Sequence, residues 1–331
     1  MIKINFSAKP LLLFARNSKR VGKSMISLLF TIMFLASCNF TEPITVDTPE
    51  SNYRPKTLQS NANFNRVYEY TPAPGQFINE LKTGGFDGSQ TTVEAACVYA
   101  EQRLNANNWV SLGGFGGYIV VGFDHSIDNT GSYDFGIQGN SFSGSSEPGI
   151  VWVMQDENGD GQPNDNWYEL RGSEADNDST IYNYAVTYYR PSAPQMPVQW
   201  TDNQGNSGEI DYLKAFHTQD YYYPLWVAED SYTLRGTCLP SRNYDKSGNG
   251  SYWVQKEYDW GYADNFSPSD RIADDMSNYF RISDAIDAQG NPANLQYIDF
   301  IKVQTAVNAK SGWLGELSTE VVGFFDCNMN E

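Results

Sequence analysis

Histidine is nearly absent: His125 and His217 are the only two in 331 residues. That leaves few ways to build a histidine-rich metal centre or a Ser-His-Asp site. Cysteine is scarce as well, with Cys38, Cys97, Cys238 and Cys327 far apart in the chain, which excludes a zinc ribbon and a dense disulfide framework. Of Cys97, Cys238 and Cys327, at most two can pair, and burial of all three as small apolar side chains is the other reading. Basic residues are outnumbered, 22 Lys and Arg against 40 Asp and Glu, for a net charge of -18. Such acidity argues against a nucleic-acid partner and suits bound cations. Neither G-x-S-x-G nor H-E-x-x-H occurs. The run "GGFGG" at Gly113–Gly117 lacks the third glycine of a dinucleotide fingerprint and leads into a strand-like "YIVVGFD", where that fingerprint needs a helix N-terminus. It reads as a turn entering a sheet.

Basic residues do gather at the start, as Lys3, Lys9, Arg16, Lys19, Arg20 and Lys23, followed by "MISLLFTIMFLASC" from Met25 to Cys38. A basic region, a short apolar run and small residues make a secretory signal, too short for a comfortable membrane span. Leu35-Ala36-Ser37-Cys38 resembles the bacterial lipobox, which implies cleavage after residue 37 and lipidation of Cys38. Loss of those six basic residues with no acidic one takes the net charge from -18 to -24. Residues 38–66 are rich in Pro, Thr, Ser and Asn with few large apolar residues, and read as a flexible tether. Residues 67–331 read as a single domain.

That domain is rich in aromatics, within a chain total of 22 Tyr, 18 Phe and 8 Trp, which favours strands and ligand surfaces. One early helix is expected in "TTVEAACVYAEQRLN", where Val93, Ala96, Cys97, Ala100 and Leu104 share a face. The remaining apolar segments are short and separated by turns. In "GIVWVMQ", Ile150, Trp152 and Met154 alternate with Val151 and Val153, so both faces of this strand should be buried. The fold class expected is all-β, a two-sheet antiparallel β-sandwich of jelly-roll type with long loops.

The segment "QDENGDGQPND" at 155–165 places Asp156, Asn158, Asp160, the Gln162 carbonyl and Asn164 at alternating positions, with Gly161 at the sharp turn. Hard oxygen donors in that spacing suit structural Ca²⁺. The position where an EF-hand carries its bidentate Glu is Trp167, so this is no helix-loop-helix site, and Asp165 is one substitute ligand. A polar hairpin turn is the competing reading, since Asp, Asn and Gly are also good turn formers.

The functional lead is aromatic. "YYYPLWV" supplies Tyr221, Tyr222, Tyr223 and Trp226, and "SYWVQKEYDWGYADN" supplies Trp253, Trp260 and Tyr262; Trp313 offers another flat face. Such side chains stack on sugars or on a planar macrocycle. With Pro224 breaking the pattern, Leu225 and Val227 are expected to face inward and some of Tyr221, Tyr222, Tyr223 and Trp226 outward. No catalytic residue is singled out, and an enzyme using two carboxylates is a minor alternative.

Seven separated stretches carry a resemblance: "YEYTPAPGQFIN", "GGYIVVGFDHSIDN", "SSEPGIVWVMQDENGDGQPNDNWYELRGSE", "YPLW", "YTLRGT", "DWGYADN" and "IDFIKVQTAVNAKSGWLGELSTEV". Together, across residues 67–326, they resemble secreted or lipid-anchored cell-surface proteins of Bacteroidota, some of which carry PKD modules. The resemblance implies a lipid-anchored outer-membrane protein, exposed on the cell surface, beside a TonB-dependent receptor. It also implies a non-enzymatic nutrient-capture role, with a corrinoid (cobalamin, vitamin B12) as first ligand and a glycan as second. No ligand residues transfer from it.

Overall fold

A computed structural model describes residues 52–329. The leader and Cys38 lie outside them. The domain is all-β and sandwich-like, with one α-helix, and its strands are numbered β1 to β17 in chain order. The main sheet is antiparallel, six-stranded and ordered β1 (Arg66–Thr71), β3 (Tyr118–Asp128), β15 (Tyr297–Thr305), β5 (Gly149–Met154), β6 (Trp167–Leu170), β14 (Ala285–Ile286). The late strand β15 slots between β3 and β5, pairing Ile301 with Val121 on one side and with Val153 on the other.

Period-two alternation decides what this sheet buries. Ile119, Val121, Val151, Val153, Ile301 and Val303 point to one face and are fully buried, each contributing roughly 1.5–3 kcal/mol relative to exposure. They form one cluster with side chains of a second layer. Phe280 comes from β13 (Ser277–Phe280), Phe135 and Ile137 from β4 (Phe135–Gln138), and Phe324 from β17 (Gly323–Asp326). Val110 of β2 (Val110–Ser111) and Val321 of β16 (Glu320–Val321) join the same cluster. The opposite face of β5 is covered as well, with Ile150 in a separate cluster that includes Tyr258 and Tyr262. Burial on both faces of this strand is therefore as its sequence implied.

A four-stranded sheet not distinguished in the sequence has a third cluster of its own. Its order is β10 (Ser231–Cys238), β7 (Ile181–Tyr189), β8 (Val198–Asp202), β9 (Ser207–Ile210). Tyr184, Val186 and Tyr188 alternate inward with Leu234 and Ile210, around Phe115. A short ribbon, β11 (Asn243–Asp245) with β12 (Trp253–Gln255), completes the sheets.

Helix α1 (Val93–Asn105) starts where Thr92 accepts a hydrogen bond on Oγ1 from Ala95 N, at 3.2 Å, satisfying one orphan donor of the first turn. Ala96, Tyr99, Ala100 and Leu104 are its buried residues. Val93, expected on that face, is exposed at the helix start. The turn Gly113–Gly117 enters β3 as expected. A Cβ on Gly117 would sit 1.8 Å from Leu112 O, and Gly113 adopts φ +68° against Ala73 O, so backbones pass here at a distance only glycine allows. Cys97, Cys238 and Cys327 are free. Among the described residues no helix is long and apolar enough to cross a membrane.

The segment expected as tether requires a correction from Asn52 onward. Arg54 donates to the fully buried Asp299 from Nη2 at 2.9 Å and to Phe123 O from Nη1 at 2.7 Å. Phe64 is buried and Lys56 pairs with Asp326 at 3.1 Å. The physical reason is that a few anchors suffice: one arginine for a buried carboxylate and one phenylalanine for the core hold a segment whose average composition is polar.

Candidate functional site

Four of the aromatic residues singled out from the sequence are core residues. Tyr222 and Tyr223 are fully buried, their hydroxyls donating to His217 O and Glu229 O at 2.9 Å each. Tyr262 is buried and its hydroxyl accepts from Glu174 N at 2.9 Å. Trp226 is 6% exposed, stacked on Phe86 at 5.9 Å between centroids and beside Tyr70 at 5.8 Å. Of the two residues expected to face inward after Pro224, Val227 packs against the core while Leu225 is 41% exposed, and Trp226 takes the inward place. The indole has the larger apolar area to bury and finds aromatic partners in the core. Tyr221 is half-buried, and its carbonyl accepts from Asn79 at 2.9 Å. Trp260 is half-buried and lines a separate cavity of about 330 Å³ with Tyr133 and Arg281.

Trp253 stands in a different setting, on the wall of an open cleft of about 520 Å³. One side of this cleft is built from β12 and the turn at 142–147. That turn is tied to β12 by Gln255 N donating to Gly144 O at 2.9 Å and Ser146 N to Gln255 O at 3.1 Å. It carries Phe142, 62% exposed, and Tyr252 beside it is 55% exposed. The lining also includes Phe216 and Trp313, 58% and 50% exposed, with ring centroids 5.9 Å apart. Trp313 lies in a 3₁₀ turn, Gly312–Leu314, whose backbone presses on the Trp253 indole: a Cβ on Gly312 would fall 2.3 Å from Trp253 Nε1.

Between the aromatics the cleft is polar and nearly uncharged. Gln76, Ser143, Ser145, Gln255 and His217 line it with Glu147, and among the described residues no lysine or arginine does. Burial lowers the His217 pKa, which keeps the imidazole neutral at pH 7. Trp253 Nε1 and His217 Nδ1 are buried with no hydrogen-bond partner. Flat apolar faces flanking amides and hydroxyls can take up a ring whose edges carry hydroxyl groups.

Beneath the cleft three acids meet. One carboxylate oxygen each from Glu147, Asp264 and Glu320 lies within 4.8 Å of the others. Asp264 accepts from Asn140 N and Glu320 N, both at 2.9 Å, and Glu320 accepts from Ser318 Oγ at 3.0 Å. Burial raises all three pKa values, Glu147 to about 8 and Asp264 to about 7, and the neighbouring acids add to the rise for Glu147 and Glu320. Shared protons account for this proximity. Asp264 and Glu320 are closed from solvent, so only Glu147 reaches the cleft.

The acidic loop is elsewhere, and its oxygens already accept hydrogen bonds. Asp156, 2% exposed, accepts from Gly159 N at 2.8 Å and Gly161 N at 2.9 Å. Asp165 accepts from Glu157 N at 2.9 Å, Asn158 from Asp160 N at 2.8 Å, and Asp160 from Gln162 N at 2.8 Å. Asn158 Nδ2 also donates to Asn164 Oδ1 at 2.9 Å. Asp156 N donates to Asp299 at 2.8 Å, the same carboxylate that holds Arg54. The loop links β5 to β6 and is fastened to the N-terminal segment, a structural place in the fold.

Phe142, Phe216 and Glu147 were not picked out from the sequence. The signal for Phe142 was present: a lone aromatic in the Ser/Gly run "SFSGSS" has no apolar neighbours to fold with and stays exposed. Compared with known proteins, the chain matches no protein-family model and no curated sequence.

Proposed function

We propose that the domain is a non-enzymatic ligand-binding module whose cleft takes a neutral saccharide. The observation that carries this reading is the arrangement of four exposed aromatic rings with Trp253 around a floor of amides, hydroxyls and a neutral imidazole. Stacking supplies affinity, and the polar edges select for hydroxyl-bearing rings. A volume of about 520 Å³ falls in the usual range for a small-molecule site and suits a short oligosaccharide. Affinity electrophoresis in gels containing neutral polysaccharides tests the reading. Retardation is expected for the wild type, and Trp313→Ala should weaken it about tenfold or more. Equal mobility with and without every polysaccharide contradicts it.

A corrinoid is the second ligand. It rests on the resemblance to Bacteroidota surface proteins, because four of the seven aromatics first assigned to a broad stacking surface are in the core. Cyanocobalamin belongs in the same experiment, and retention of its colour by the protein would move it to first place.

The sequence-based reading of the chain's ends completes the proposal: a lipid anchor at Cys38, placement on the outer membrane facing outward, and delivery of the ligand to a TonB-dependent receptor. Fatty-acid labelling that persists in Cys38→Ser contradicts the anchor. For the loop at 155–165, structural calcium predicts that EDTA lowers the wild-type melting temperature and not that of an Asp156→Ala, Asp160→Ala variant; equal responses contradict it.

A further inference from the structure

A larger cavity, about 630 Å³, opens on the face of the main sheet that points away from its central cluster. Strand register builds its floor. Lys302 of β15 stands opposite Trp152 of β5, and Trp152 opposite Glu169 of β6, so three side chains form one row across three strands. Lys302 Nζ lies 4.7 Å from the Trp152 ring centroid, 5.2 Å from Trp167 and 5.6 Å from Tyr118. Among the described residues this ammonium makes no hydrogen bond or ion pair. Trp152 Nε1 is likewise buried without a partner.

Three cations and three acids (Glu169, Asp176 and Asp287) line the cavity, and among the described residues Lys302 and Arg235 have no carboxylate partner. Arg235 and Arg171 line the cavity with Lys302, three cations in a chain of net charge -18. Arg171 is paired with Asp176. Asp287 accepts from Gln289 N at 2.9 Å and Asn291 N at 2.8 Å within its own turn, and Glu169 accepts from Thr237 Oγ1 at 2.6 Å, with burial raising its pKa to about 7.

We infer that this cavity is a second ligand site, for a small organic acid whose carboxylate accepts hydrogen bonds from Lys302 Nζ and Trp152 Nε1 while its ring lies on Trp167. Two unpartnered donors in an aromatic enclosure are the complement of such a ligand, and the charge-assisted bond is the stronger for being partly shielded from water. Burial lowers the Lys302 pKa to about 8, against the opposing pull of Glu69 and Glu169; neither forms an ion pair with it, and a bound carboxylate supplies that direct partner. This inference is independent of the saccharide cleft, whose lining shares no residue with this cavity.

Calorimetric titration of the full chain with glucuronate, benzoate and glucose tests it. Saturable binding of glucuronate identifies a sugar acid and binding of benzoate an aromatic acid; either supports the site if glucose does not compete. Lys302→Met should weaken that binding about tenfold or more, with Trp313→Ala leaving it unchanged. Should Lys302→Met fail to fold by circular dichroism, Trp152→Phe keeps an aromatic face, removes the donor and should weaken binding by severalfold. Failure of both carboxylates to bind, equal binding of glucose, or wild-type affinity in the folded Lys302→Met variant overturns the inference.

Discussion

Replacing Trp226 with alanine is expected to destabilise the domain by about 3–5 kcal/mol without altering the cleft. The indole is 6% exposed and packs among Phe86, Tyr70 and Tyr99, where Phe86 and Tyr99 stack at 4.0 Å. Truncation removes its apolar burial and leaves a cavity that rigid neighbours on β1 and α1 cannot close. Trp313 is the contrasting case. Half exposed and on a surface turn, it should cost about 0.5 kcal/mol or less when truncated, yet lose ligand. Urea unfolding of the two variants side by side measures both effects. A loss under about 1 kcal/mol for Trp226→Ala, or selective loss of ligand binding with stability intact, would return that residue to the binding surface.

The second large effect concerns pH. Glu147, Asp264 and Glu320 have pKa values raised above their ordinary 4.5, 3.8 and 4.5 by burial, and those of Glu316 and Glu169 are pushed to about 7. The folded chain therefore binds more protons than the unfolded chain between about pH 4 and pH 8. Stability from these groups is fully present below their unfolded pKa values and is lost as pH rises through the folded ones. The domain should be more stable at pH 5 than at pH 8. Glu320→Gln keeps the size and removes one acid from the trio, so it should flatten that slope and raise the melting temperature at pH 8 by a few degrees. Thermal melts from pH 5 to pH 8 measure it. Lower stability of Glu320→Gln at pH 8, with calcium stabilising only the wild type, would mean that the three carboxylates are ionised around a cation.

What could be read from the sequence was what local pattern dictates. Alternation in "GIVWVMQ" specified a strand buried on both faces, and Val151, Ile150 and Met154 bear this out. The helical spacing of Ala96, Ala100 and Leu104 marked α1, while Tyr99 is buried and Val93 is exposed. The all-β class followed from many short apolar segments between turns. The site was less legible, because which aromatic faces water is decided by partners distant in the chain. Trp226 is drawn inward by Tyr70 and Phe86, and Trp253 is held on the cleft wall by the backbone at Gly312. The acidic trio joins three remote segments, so no spacing announces it. Residues 52–66 look like a tether by composition, but composition averages over Arg54 and Phe64, the residues that attach them.

The central claim is that ligand occupies the cleft lined by Phe142, Tyr252, Trp253, Phe216 and Trp313. Hydroxyl-radical footprinting with and without the best-retained oligosaccharide, read by mass spectrometry, tests it most directly. The account predicts protection of Phe142, Tyr252, Phe216 and Trp313, with oxidation of Trp260 and Tyr221 unchanged. Protection centred on Trp260 and Tyr221, or none in the cleft at saturating ligand, would contradict it.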